Sequence, residues 1–167
     1  MSRYRPRQKP SSPYITYEGA LKLRKELQFL WMEKRPEITQ AVSEAAAQGD
    51  RSENAEYIYG KKQLREIDSR VRFLRKRLDV LQIIEELPKE RDKIFFGAWV
   101  SIEDEQGDEK RIRIVGPDEF DSSEGYISMD SPMAKALLGK QLDDEIFVET
   151  PKGTKIWFVM NIQYKEI

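Results

Sequence analysis

Cysteine and histidine are both missing from this chain. Without cysteine there is no disulfide, no thiolate nucleophile and no cysteine zinc site. Without histidine the usual general base and the commonest metal ligand are gone, so a self-contained hydrolase would have to work with carboxylates alone. An excess of either charge is lacking too: 29 Lys and Arg stand against 30 Asp and Glu, a net charge of -1. Charged residues at 35% with no imbalance describe long solvated helices better than a general nucleic-acid binder. No apolar run approaches the roughly 20 residues of a membrane span. The basic start, with Arg3, Arg5, Arg7 and Lys9, is followed by no apolar segment of a signal peptide. The expectation is a soluble cytoplasmic protein of one domain or two small ones, with no membrane partner and no small-molecule substrate.

Residues 1–13 mix Arg, Lys, Pro and Ser without periodicity and read as a disordered basic tail. Residues 14–87 carry helical spacing. Thr16 is placed to cap a first helix, with Glu18 in its first turn. Ala20, Leu23, Leu27 and Leu30 form a coiled-coil seam. The seam continues as Lys34, Ile38, Ala41 and Ala45, with a phase shift near Pro36, where a kink is expected because proline lacks the N–H of the helical ladder. Gly49 follows the last turn as a terminator. Leu64, Ile67, Val71, Leu74, Leu78 and Leu81 form a second seam. Together the two predict an antiparallel helical hairpin in which residue i faces roughly residue 100 − i. Leu27 then meets Leu74, and Ala41 meets Gly60, so the partners shrink towards the turn.

The turn, Gly49-Asp50-Arg51-Ser52-Glu53-Asn54-Ala55-Glu56-Tyr57, carries Asp50 and Glu53. Two readings compete. Asp50 or Ser52 can be the N-cap of the second helix with Glu53 near N3, a capping-box variant that also suits the helix dipole. Alternatively, two hard oxygen ligands on an exposed turn can complete a metal site in another macromolecule, although they cannot hold magnesium alone. The second helix also bears Lys61, Lys62, Arg65, Arg72 and Lys76, of which Lys61, Arg65, Arg72 and Lys76 share one side. Such a stripe is either a solvated face or a polyanion contact.

Leu87-Pro88-Lys89-Glu90-Arg91-Asp92 ends the heptads and marks a boundary. Residues 93–167 read as short strands over 95–103, 110–115, 125–128, 145–150 and 155–163. A short helix over 133–138 has Ser131 as N-cap and Pro132 at N1. The fold class is α+β: a helical hairpin followed by a compact antiparallel sheet with one small helix. Trp99, Phe120, Tyr126, Trp157 and Phe158 could line a proline pocket, but a core of this size needs such aromatics.

The turn motif, the preceding Arg35-Pro36-Glu37-Ile38, the run Lys61-Lys62-Gln63-Leu64-Arg65-Glu66-Ile67-Asp68 and the segments Phe95-Phe96-Gly97-Ala98 and Ile127-Ser128-Met129-Asp130-Ser131-Pro132-Met133-Ala134 together resemble the bacterial Gre transcript cleavage factors. The basic run to Arg77 is similar to the GreB-like branch. The resemblance covers essentially 15–167 and implies an FKBP-like fold for the second domain. It also implies that the hairpin enters the secondary channel of backtracked bacterial RNA polymerase and stimulates the polymerase's own magnesium-dependent cleavage of the nascent RNA 3′ end. On that reading the chain is not itself an enzyme and has no cofactor of its own. Asp50 and Glu53 would share a Mg2+ with the polymerase, the stripe Lys61, Lys62, Arg65, Arg72 and Lys76 would contact extruded RNA, and Asn54 and Tyr57 would orient RNA or shape the tip. Asp130, Ser131 and Pro132 match the polymerase-docking loop. The alternatives are an anti-cleavage homologue that blocks the channel, or a coiled-coil binding or chaperone module.

Overall fold

A computed structural model describes residues 8–165. The chain is α+β and divides into two compact units, Glu18–Leu81 and a second one made of the stretch up to Tyr17 with Gln82 onward. Among the described residues no helix is long and apolar enough to cross a membrane.

The helical unit is a hairpin. Helix α1 (Tyr17–Phe29) runs into a π-helical turn (Leu30–Lys34) and then α2 (Arg35–Ala47); α3 (Ala55–Val80) returns. Ala20, Leu23, Leu30, Ala45, Ile67, Val71 and Leu74 are buried between them. Pro36 neither ends the helix nor simply kinks it. The hydrogen-bond ladder slips before it, so that the Arg35 N–H donates to Leu30 O, five residues back. A π turn holds one residue more than an α turn. The effect on the seam is a correction to the expected one: a heptad continued from Leu30 would bury Ala41, yet Ala41 is exposed and Val42 takes the inward place. Val42 lies against Gly60, where an added Cβ would come within 2.5 Å of Val42 Cγ2. The helices therefore touch backbone to side chain near the turn, as the shrinking seam residues predicted. Two ion pairs stitch the hairpin, Arg35 Nε to Asp68 Oδ1 and Arg70 Nε to Glu26 Oε1, both at 2.7 Å.

The second unit holds a five-stranded sheet in the order β5-β4-β3-β7-β6. Its strands are β3 (Trp99–Asp104), β4 (Glu109–Val115), β5 (Tyr126–Ser128), β6 (Glu145–Thr150) and β7 (Gly153–Gln163). The sheet is mixed rather than purely antiparallel, because β5 pairs with β4 in parallel. The link between these two strands, through a 3-10 turn at Pro117–Glu119, is long enough to bring β5 back in the same direction. One face buries Val100, Ile102, Ile112, Ile114, Val148, Trp157 and Val159 against α4 (Pro132–Leu137), which contributes Ala134 and Leu137.

A second, two-stranded sheet pairs β1 (Tyr14–Thr16) with β2 (Gln82–Ile84) in parallel. It takes 14–17 and 82–84 out of the hairpin expected over 14–87 and into the sheet unit. Gly116 makes room for it: an added Cβ would stand 2.0 Å from the Tyr14 carbonyl oxygen. Glu119 accepts from the Thr16 N–H at 3.0 Å, from the Thr16 hydroxyl and from the Gly116 N–H at 2.8 Å. The expected tail 1–13 also shortens at its C-terminal end. Gln82 N–H donates to Pro13 O, and the Ser12 amide and hydroxyl both donate to the Asp130 carboxylate. Arg3, Arg5 and Arg7 lie outside the described residues.

Candidate functional site

Seven residues, 48–54, join the end of α2 to α3. Gln48 closes α2 by donating to Ala45 O, and Gly49 follows with φ 149°, a conformation that favours glycine. The N-cap of α3 is Asn54, not Asp50 or Ser52: its Oδ1 accepts from the Tyr57 N–H at 3.1 Å. Its Nδ2 donates to Ala45 O at 2.6 Å, so that this carbonyl in the last turn of α2 accepts from both Gln48 and Asn54. One side chain thus starts the second helix and ties it to the first. Tyr57 is half-buried with the Arg51 guanidinium 5.8 Å from its ring centre, a contact the sequence did not suggest.

With capping done by Asn54, the two acids are left to other work. Asp50 Oδ1 accepts from the Ser52 N–H at 3.0 Å and the Ser52 hydroxyl at 2.9 Å, an Asx turn closed within the loop. Those two bonds, backbone first, hold the Asp50 carboxyl below the usual carboxylate range. Glu53 makes no hydrogen bond or ion pair among the described residues. Both are exposed. The turn therefore presents one carboxylate fixed within its loop and one unengaged carboxylate, both exposed. These are oxygen donors of the kind Mg2+ takes, but two carboxylates leave most of an octahedral shell to other ligands. Among the described residues no group of three or more acids is placed to hold a metal.

The basic residues of α3 divide in space. Lys61, Arg65, Arg72 and Lys76 are exposed along one side, and Asp68 falls on the same side. Asp68 is held by Arg35 and also feels Arg72, and its carboxyl is lowered chiefly by the Arg35 hydrogen bond. Lys62 lies round the helix, lining a shallow groove with Arg65, Ser69, Arg70 and Phe73. The stripe is thus interrupted once, a feature visible in the sequence only after the side is counted out to position 68. Across the hairpin Trp31 stands 5.2 Å from the Arg35 guanidinium and 4.5 Å from that of Arg75, an aromatic-cation stack that periodicity did not flag.

In the sheet unit Ser131 caps α4 by accepting from the Ala134 N–H at 3.2 Å, with Pro132 as the first helical residue. Asp130 is half-buried and engaged with Ser12, so of the three residues expected at the docking loop only Pro132 is exposed. The five aromatics do not converge on a pocket. Trp157 is buried in the core, Phe120 is 63% exposed, and Trp99 and Tyr126 stand on the other face of the sheet.

The family models for the N-terminal part of transcription elongation factors and for the GreA/GreB C-terminal part match residues 13–83 and 88–164. A "Transcription elongation factor GreB" of Pseudomonas aeruginosa is 62% identical over 98% of both chains. One of Haemophilus influenzae is 61% identical over 93% of this chain and 98% of its own. Among solved structures, the GreA factor homolog 1 (Gfh1) of Thermus thermophilus aligns at 28% identity over 90% of this chain and 97% of its own, with a TM-score of 0.40.

Proposed function

The chain belongs to the GreA/GreB family of transcription elongation factors, and on that premise we propose that it rescues backtracked bacterial RNA polymerase by stimulating cleavage of the nascent RNA. The observation that carries the proposal is the division of labour at the tip. Asn54 alone caps α3, so Asp50 and Glu53 are exposed acids without a structural task beyond their own turn.

The hairpin enters the secondary channel tip first. Asp50 and Glu53 offer oxygens to a Mg2+ held jointly with the polymerase's own acids. When bound, that ion lowers the pKa of an attacking water and steadies charge on the phosphodiester. The protein's part is positional. The Asx turn fixes Asp50, the Asn54–Ala45 bridge fixes the loop, and the close Val42–Gly60 contact keeps the tip slim. Lys61, Arg65, Arg72 and Lys76 meet the extruded RNA, with Lys62 at the margin. The loop at the start of α4 docks on the polymerase, with Pro132 as its exposed contact and Asp130 and Ser131 holding its shape.

The test uses stalled, backtracked complexes with 5′-labelled RNA and Mg2+. Wild-type protein shortens the RNA. Asp50→Ala/Glu53→Ala protein, at equal binding, slows shortening by at least the roughly 10–100-fold that loss of a metal site's outer partners causes. Equal cleavage by both proteins would overturn the assignment of the tip acids, and binding without cleavage by either would make the chain a channel blocker.

A further inference from the structure

Strand alternation sends Val100, Ile102, Ile112 and Ile114 into the core and their neighbours to the opposite face of the sheet. The registers then build a row. Tyr126 pairs with Arg113, Arg113 with Trp99, and Trp99 with Gln163, across β5, β4, β3 and β7. One step along, Arg111 pairs with Ser101. The groups are stacked, not merely adjacent. The Arg111 guanidinium lies 4.5 Å from the Trp99 ring centre, Arg113 lies 6.0 Å from Trp99 and 5.7 Å from Tyr126, and the two rings meet edge to face at 5.7 Å.

The two arginines differ in availability. Arg113 is 8% exposed and donates its Nε to Gly97 O at 3.2 Å, so it is a strut between the rings. Arg111 is exposed, and its Nη2 donates to Gln163 Oε1 at a long 3.4 Å. Beside the row runs a groove lined by Arg91, Trp99, Arg111, Gln163, Tyr164 and Lys165. Among the described residues no carboxylate is within ion-pair distance of Arg91, Arg111 or Lys165. Asp92 does act on the Tyr164 hydroxyl and offsets part of this charge. Farther along the same strands Glu103 pairs with Glu109 on the same face. The face is therefore cationic and aromatic at the Trp99 end and acidic at the other, in a chain whose net charge is only -1.

We propose that this outer face, centred on Trp99 and Arg111 with Arg91 and Lys165 along the groove, binds single-stranded nucleic acid. An acidic peptide would be served by charges alone. Here the cations are interleaved with flat π surfaces, spaced by strand separations of roughly 4.8 Å. That pattern suits bases stacking on rings or guanidinium planes while phosphates meet the flanking cations, and it reads stacking rather than base identity. The acidic pair Glu103–Glu109 limits the bound strand to the other end. This surface is separate from the hairpin and does not depend on the cleavage reading.

The test is a titration of the full-length, 15N-labelled wild-type protein followed by NMR. The probes are a ten-nucleotide oligouridylate and, separately, oligoglutamate of matching charge. Oligouridylate should move the Trp99 indole N–H and the amides of Arg111 and Gln163, as a set distinct from Lys61–Lys76. Shifts confined to the hairpin would overturn the proposal, as would equal or stronger shifts of the Trp99 set with oligoglutamate, which would mark an acidic-peptide surface. A second arm measures fluorescence anisotropy of the labelled oligonucleotide with Lys61, Arg65, Arg72 and Lys76 changed to Gln. In that background Arg111→Gln should weaken binding about tenfold and lower the log–log salt slope by about 0.7, one phosphate contact of a single strand. An unchanged affinity and slope would count against the site.

Discussion

Two pairs of acids are put to opposite uses. In the sheet unit, Glu119 and Asp130 reach across the chain to segments 103 and 118 residues away and hold Thr16 and Ser12 by both amide and hydroxyl. At the hairpin tip, Asp50 bonds only Ser52, two residues on, and Glu53 bonds nothing described. Both pairs are acids in short connections between longer elements, and composition does not distinguish them. The lesson is that the sequence distance an acid spans tells its job. Long-range bonds from a carboxylate close the fold, while a carboxylate satisfied only within its own loop leaves oxygens for a partner.

The contrast can be broken by substitution. The largest stability effect belongs to Glu119→Ala. It removes the carboxylate that accepts from the Thr16 amide and hydroxyl, in a residue only 4% exposed, and from the Gly116 amide, and should remove about 3 kcal/mol from the sheet unit in urea unfolding. Loss below about 0.5 kcal/mol would show that the β1–β2 pair stands without it.

Next comes Asn54→Ala, which deletes the cap and the bridge to Ala45 and should lower hairpin stability by roughly 1–2 kcal/mol by helical circular dichroism. Transcript cleavage should fall in the same variant, since the acids are then carried by a frayed turn. Cleavage at the wild-type rate despite that loss of stability would separate tip shape from activity.

A smaller change, about 1 kcal/mol, is expected for Asp130→Ala, whose partners are half-buried. Ser12→Ala should reproduce part of it; a stable Asp130→Ala protein that fails to bind polymerase would instead put Asp130 directly in the docking contact.

The smallest stability effect is predicted for Asp50→Ala/Glu53→Ala, within roughly 0.5 kcal/mol, although its effect on cleavage is the greatest of all. The pH dependence follows the same line. The Asp50 carboxyl is lowered on folding by the Ser52 bonds. Whatever stability it lends is therefore complete above the unfolded value of about 3.9 and fades as pH falls through the lower folded value. Acid unfolding of the double variant should accordingly track the wild type closely, and a much earlier acid transition in the double variant would contradict a tip without structural duty.

The hairpin and the five long-range strands were legible because their signals are local. Heptads, a proline at N1 after Ser131, and alternating strands are written within a few residues of one another. The pair β1–β2 was not, since three-residue strands joined in parallel across the whole hairpin show neither periodicity nor a turn. The seam beyond Pro36 was misphased at Ala41 for a related reason, as a π turn has no residue signature of its own beyond the proline it serves. At the tip the candidate acids were legible through the resemblance. Their freedom from capping was not, because Asp50, Ser52 and Asn54 are all good caps and the choice is made by the Ala45 carbonyl on the other helix.

The π turn at Leu30–Lys34 also sets an angle. One extra residue in a helix turns everything after it by about 100°. The compass bearing of the tip acids about the hairpin axis is therefore fixed by a residue count some twenty positions upstream, not by the tip. A single deletion there would leave the loop chemically intact and aim it elsewhere, which makes this turn the adjusting screw of the hairpin.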